Sequence, residues 1–564
     1  MINSPKRKMK KILMLSIVFL VFIISLPIIK ADEIIINSKD WKDVYAGTQY
    51  GFLTGIQPKF LASEKHGALL MNEMQKENNK IEVFSSQKNS FVFGYGPTLK
   101  QAGFDVTETQ FKTLTLDLAK KLTDINNYII IDDSYGYNAI AVAPYAIISK
   151  SYVLFADSNN IGEIASFLNS KQIDKILIYG HVDREVRDRL SQFKPEIINK
   201  DGDRFANNVE IVKKYKGISN TKQVLLSNGE FIENEIMSGA QPVLFVGRDN
   251  VPDKIRDYIK NSDIEVGVLI GNELVGTATV VRRQTGISTF VKFARSARTT
   301  EGPIAQVEGL DIFRLPKIEI NLAIDSMIYN VLTKQLEVTV KNNGEVAAYF
   351  KGTYSVTSGD SQQTIGDIEP IFIDGNDVKT IVYSIDPIPG EDDITAKAFV
   401  VFGESKDSLE FALEQTLTVK RVEVQDDTAI TIEKVDYEKN NDRFKVYIKN
   451  IGNVNAFADP EIVDILVLDE RQTFAAEKTI EIPVGKTRPA VIKVSLTDED
   501  LLNNPKIKVR TYYGQRENAL IKIIEGDFAV KIISSDIFTY MPLIIIVILL
   551  ILIFLARRKK KKSS

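Results

Sequence analysis

A period of about 90 residues, written three times in the N-terminal half, constrains the fold of this 564-residue chain more than any other feature. A short apolar run occurs at Ile34–Ile36, at Tyr128–Ile131 and at Val224–Leu226. A second follows at Pro58–Leu61, Tyr152–Phe155 and Pro242–Phe245, its starts 94 and 90 positions apart. A third closes on glycine at Phe91–Gly94, Ile176–Gly180 and Val268–Gly271. Between the second and third runs, Ile161, Ile164, Ala165 and Leu168 recur at helical spacing, as do Ile255, Tyr258 and Ile259. Val182–Leu190 reads as a further helix, charged outside and aliphatic inside. Short continuous apolar strands alternating with amphipathic helices mean β-α-β units around a parallel sheet buried on both faces.

From Lys317 the pattern changes to period-two alternation broken by turn residues, which reads as antiparallel strands. Leu336–Val340 leads into Lys341-Asn342-Asn343-Gly344, and Phe444–Ile448 into Lys449-Asn450-Ile451-Gly452, the two glycines 108 positions apart. Ala398–Gly403 and Lys508–Gly514 repeat with glycines 111 apart. Two tandem β-sandwich (immunoglobulin-like) domains follow from those periods. Asn and Gly at the break are expected to supply positive φ.

The stretch from Tyr128 to Leu190 resembles the type 2 cell-wall-binding repeats, which occur in threes on bacterial and archaeal surface proteins. Asn138-Ala139-Ile140 stands where that family has D-A-L, Val153-Leu154-Phe155 where it has its aliphatic strand, and Gly180-His181 where it has a glycine pair. Gly271-Asn272 and Gly94-Tyr95 take the last place in the other copies, so the second glycine is missing each time. The resemblance implies three flavodoxin-like α/β modules packed as a pseudo-threefold head that binds wall polymer. It offers Asn138, Val153, Leu154, Phe155, Gly180, His181, Gly271 and Asn272 as polymer-binding positions. The segments VKNNGEVAA and IKNIGNVNA are similar to the signature of the CARDB family of surface sandwiches.

The chain ends add a setting. Lys6–Lys11 followed by the uncharged Ile12–Ile29 has the layout of a signal peptide, with cleavage expected near Ala31. Ile537–Ala556 carries no charge over twenty residues, enough to span a bilayer, and is followed by six positive charges that keep a basic tail cytoplasmic. The part between them holds 59 of the 71 Lys+Arg and all 74 Asp+Glu, an acidic ectodomain unsuited to nucleic acid. The expected division is 1–31 signal peptide, 32–124, 125–220 and 221–300 repeats, 301–317 linker, 318–421 and 422–533 sandwiches, 537–556 transmembrane helix, and 557–564 tail. Placed end to end, the sandwiches would form a spacer of about 70–80 Å.

Chemistry is sparse. There is no cysteine, only His66 and His181 as imidazoles, and no HExxH, GxSxG, P-loop, GxGxxG or EF-hand pattern. No catalytic residue, cofactor or metal is called for; Asp132-Asp133, Asp201-Gly202-Asp203 and Glu391-Asp392-Asp393 read as solvated turns. The expected function is a membrane-anchored, S-layer-like envelope protein, not an enzyme. Its head binds a surface glycan or assembles with neighbouring surface proteins, held out by the sandwiches. The alternative is an ectoenzyme or tethered accessory subunit with a ligand site at the strand ends, where Asp132, Asp133, Asp157, His181, Asn228 and Asn272 would face.

Overall fold

The computed structural model describes residues 33–77, 79–292, 311–388 and 393–533. The expected signal peptide, the apolar segment 537–556 and the basic tail lie outside the described residues. Among the described residues no helix is long and apolar enough to cross a membrane.

The N-terminal half builds three four-stranded parallel sheets. They comprise β1 (Glu33–Asn37), β2 (Gln57–Phe60), β3 (Lys80–Ser86) and β4 (Asp105–Phe111); β5 (Asn127–Ile131), β6 (Ser151–Phe155), β7 (Lys175–Tyr179) and β8 (Glu196–Ile198); and β9 (Gln223–Ser227), β11 (Val243–Phe245), β12 (Val266–Ile270) and β13 (Ser288–Lys292). The short β10 (Phe231–Ile232) pairs instead with β14 (Phe313–Arg314). Strand order is second, first, third, fourth in every sheet, which is the doubly wound order cut short by one strand. Each first strand is central and its apolar run is fully buried, as helices on both faces demand.

Repeat 1 departs from the expected register. Its third strand is Lys80–Ser86; Phe91–Gly94 is a turn, with Phe93 94% exposed and Gly94 the left-handed residue before the helix Tyr95–Gln101. Pairing with the first strand puts Ser85 where Gly180 and Gly271 stand in the other repeats.

The three repeats close on one another. The helices that follow each first strand, Trp41–Thr54, Tyr137–Ile148 and Asn234–Met237, pack pairwise around a pseudo-threefold axis within one continuous hydrophobic core. The second strand is a sheet edge with unpaired backbone groups, and an amide from the preceding repeat satisfies it. Buried Gln49 donates to Ser151 O at 3.3 Å and accepts from Val153 N–H at 3.0 Å. Asn208 donates to Val243 O at 2.9 Å and accepts from Phe245 N–H at 2.8 Å. Asn234 closes the ring by donating to Pro58 O at 3.5 Å.

Each sandwich has eight strands with the same pairing scheme, its last strand long enough to belong to both sheets and to run parallel to its first. Gly344 and Gly452 do not take positive φ. The signature works through a buried asparagine instead. Asn342 donates to Val346 O and Asp374 O at 2.8 and 3.0 Å and accepts from Gly344 N–H. Asn450 donates to Val454 O and Ile482 O, both at 2.8 Å, and accepts from Gly452 N–H. The glycines are needed for close approach, since a Cβ on Gly452 would lie 2.7 Å from Ala429 N.

The sandwiches do not form an extended spacer. The hairpin between strands Ile394–Gly403 and Leu409–Val422 docks on the head, and the matching hairpin between Lys506–Gly514 and Lys522–Ile533 docks on the first sandwich. There Arg516 Nη2 donates to both carboxylate oxygens of Glu337 at 3.0 and 2.8 Å, and buried Lys379 pairs with Glu461 of the second sandwich. Charges buried at both joints hold the modules side by side, because separating them would expose or orphan ion pairs.

Asn342→Ala and Asn450→Ala should each lower unfolding free energy by about 1–3 kcal/mol, since each strands buried carbonyls. Denaturant unfolding of the two variants should show losses of similar size; a negligible change in either would refute the shared role.

Candidate functional site

Open α/β sheets bind ligands at the carboxyl ends of their strands. At the end of the first strand the three repeats carry Asn37, Asp132 and Asn228 in equivalent register. Asn37 is consumed by the fold: it accepts from Phe91 and Val92 N–H and donates to Ser85 Oγ and Val92 O. Asp132 bonds Ser134, and burial pushes its carboxyl above the ordinary range. Asp133 pairs with Lys42 of repeat 1 at 2.7 Å.

Among the sequence-derived positions, Asn138 and Gly180 come together. Gly180 has φ +76°, and a Cβ there would lie 2.5 Å from Asn138 Nδ2. Val153 is fully buried with its N–H taken by Gln49, whereas Leu154 and Phe155 form the floor of a cleft. Phe155 is held edge-on by Trp41 and Tyr45. His181 turns away from them to Glu470 of the second sandwich, Nδ1 to Oε1 2.7 Å. Gly271, at φ +113°, backs onto Phe231, and Asn272 opens a short turn in repeat 3, so these two share no site with the repeat 2 residues.

The pseudo-symmetry makes three equivalent grooves, each between the strand ends of one repeat and the second strand of the next. One hydrogen bond within each repeat, from just after its second strand to the end of its first, fixes the equivalent positions: Leu61 N–H to Ile36 O, Ala156 N–H to Ile131 O and Val246 N–H to Ser227 O, at 2.9, 2.8 and 2.9 Å.

Two grooves are entered by the chain itself, although a cavity of about 360 Å3 remains beside the hairpin between repeats 2 and 3, lined by Asp203, Ala206, Lys254 and Asp407. Between repeats 3 and 1 runs the segment 311–316. Asp311 meets His66 Nε2 at 3.3 Å, Phe313 lies 6.2 Å from the Phe60 and Phe91 rings, and Pro316 O accepts from Gly136 N–H. Between repeats 2 and 3 sits the first sandwich's hairpin. Arg204, stacked 3.9 Å over the Tyr137 ring, pairs with Glu404 at 3.1 Å and with Glu410, and Glu410 O accepts from Asn250 N–H at 3.1 Å. Asp203 caps the helix Arg204–Lys216 through Phe205 and Ala206 N–H and accepts from Ser408, so this acidic turn is a structural cap. Burial drives Glu410 up to about 7 against the pull of Arg204.

The third groove, between repeats 1 and 2, is open. It is a cleft of about 300 Å3 with Leu154, Phe155 and Leu116 at its base and Lys88, Lys112 and Asn89 at its rim. Sequence reasoning found its floor through the Val153-Leu154-Phe155 run but missed both lysines and Arg204. Arg204 follows a helix-capping Asp, and that was the one local signal available.

No family model matches the chain, and no curated protein matches it. Among solved structures it is similar to Cwp8 from Clostridium difficile (TM-score 0.38, 13% identity, 46% of this chain and 48% of that one) and to Cwp6 from the same organism (TM-score 0.33, 12% identity, 46% and 54%). The chain thus spans about half the length of each. It is also similar to the ligand binding region of Serine-glutamate repeat protein A of Enterococcus faecium, at TM-score 0.15 and 9% identity, covering 19% of this chain and 96% of that one.

Arg204→Ala leaves Glu404 and Glu410 buried without a cation and should cost about 3–5 kcal/mol, read as a lowered thermal midpoint with loss of head–sandwich cooperativity. The hydrogen bond to Glu470 raises His181 above 6.5, so this contact is complete below that pH and fades as pH climbs through the folded-state value. Glu470 is pushed up by burial but pulled further down by His181, Asn199 and Gln472, so its contribution is present above 4.5 and fails in stronger acid. The contact should therefore be strongest between those limits. His181→Gln should flatten the alkaline side of the stability–pH curve, and an unchanged slope there would contradict the assignment.

Proposed function

We propose that this chain is a cell-envelope surface protein whose α/β head binds a cell-surface polymer through the open groove between repeats 1 and 2. The observation that carries the reading is the strand-end cleft between repeats 1 and 2: the chain's own segments enter the two equivalent junctions, and among the described residues none enters this one. The resemblance of the N-terminal motifs to wall-binding repeats and of the C-terminal ones to CARDB sandwiches supports the same setting. In this reading residues 1–31 export the chain, 537–556 with its basic tail anchors it, and the sandwiches brace the head.

The test is sedimentation of the purified chain with isolated envelopes before and after removal of their polysaccharide. Co-sedimentation that is lost with the polysaccharide is expected. Equal binding to stripped envelopes, or binding to neither, overturns the proposal.

A further inference from the structure

We infer that the groove between repeats 1 and 2 selects a carboxylate-bearing polysaccharide, a uronate-type glycan; this rests on the surface-polymer reading above. The grooves that the chain enters show what this architecture accepts. At the repeat 2–3 junction Glu404 and Glu410 pair with the Arg204 cation, and at the repeat 3–1 junction Asp311 meets Nε2 of the His66 imidazole, whose Nδ1 accepts from Ala62 N–H. In the open groove Lys42 is already committed to Asp133. Lys88 and Lys112 are exposed on the rim, and among the described residues neither has a carboxylate partner. Of the acids beside them, Asp43 is buried and bonded to Ser38 and to Leu114 N–H, Asp40 caps Lys42 N–H, and Glu163 stands exposed on the facing wall.

A polypeptide carrying the same carboxylates is disfavoured by the loop that follows the second strand. In repeat 3 this loop begins at Gly247, where a Cβ would lie 2.2 Å from Glu410 O, and its Asn250 N–H binds the incoming backbone. In repeat 2 the equivalent residue, two after Phe155 as Gly247 is two after Phe245, is Asp157. Its side chain obstructs such an approach and also consumes the loop's donors. Asn159 and Asn160 N–H bond Asp157 Oδ1 at 2.9 and 2.7 Å, Asp157 N–H bonds Asn160, and Ser158 N–H bonds Asp183. No backbone donor of that loop is left for a peptide, and recognition falls to side chains: ammonium groups for carboxylates, Asn89 and Thr113 for hydroxyls. A cleft of about 300 Å3 with an apolar floor and polar rim lies within the size range of small-ligand sites and suits a short run of sugar rings.

The test measures binding of the purified full chain, by calorimetry, to envelope polysaccharide in native and carboxyl-reduced form, to tetragalacturonate, and to a polyglutamate peptide. The native polymer and tetragalacturonate should bind. Carboxyl reduction, or the double change Lys88→Gln and Lys112→Gln, should weaken binding at least tenfold, with the variant's unfolding midpoint unchanged. Polyglutamate should bind at least tenfold more weakly than tetragalacturonate. Equal binding of the reduced polymer, insensitivity to the lysine changes, or polyglutamate binding as tight as the glycan overturns the carboxylate-glycan inference while leaving the surface-polymer reading standing. Absence of binding to any envelope polysaccharide removes both.

Discussion

A parallel sheet of four strands has two apolar faces and two open edges, and neither can be left in water by a repeat of this size. That constraint organises the head. Helices cover the faces, but the second strand at the edge of each sheet is short and lies where the preceding repeat packs, so no further strand extends it. The amides of Gln49, Asn208 and Asn234 meet the exposed carbonyls, and the first two also accept an N–H, for which an unpaired group would cost about 1–3 kcal/mol. Because every repeat completes its neighbour, the three fold around a common core and the ring cannot be opened one unit at a time without stranding polar backbone.

The ring symmetry multiplies a single groove by three, and small sequence differences then decide what each groove does. Gly247 admits the backbone of a hairpin to within contact, and Arg204 draws two carboxylates in behind it. Asp157 at the matching place ties up the N–H groups of its own loop. Two modules that share a fold thus differ at one position, where one has a glycine in contact with the hairpin and the other a carboxylate bonded to its own loop.

The sandwiches obey a similar economy. Both present the hairpin before their last strand to the preceding module, one into the head and one onto the first sandwich, and both joints are locked by buried charge pairs. An arm built from the same modules with solvated hairpins would be extended; this one is folded back, since Glu410, Lys379 and Glu461 reach partners only when the modules touch. Strands and sandwiches were readable from local pattern, but the role of the asparagine signature was not, because Asn342 and Asn450 also hold the carbonyls of Asp374 and Ile482, each 32 positions away. The third strand of repeat 1 was not: Lys80–Ser86 carries Glu82 and looks less apolar than Phe91–Val92–Phe93, yet the latter forms an exposed turn.

The amino-acid sequence by itself determined the elements: three α/β repeats, two sandwiches, apolar segments toward each end, and the strand-end positions where a site would lie. Periodicity and burial are local properties, so they can be read from neighbours along the chain. Only the tertiary structure decided which strand ends are free. His181 looks like an open strand-end residue until Glu470, 289 positions away, is brought to it, and Lys88 and Lys112 look like ordinary surface lysines until repeat 2 builds the other wall of their groove. Occupancy is a long-range property, fixed by contacts between residues whose types carry no mark of their partner.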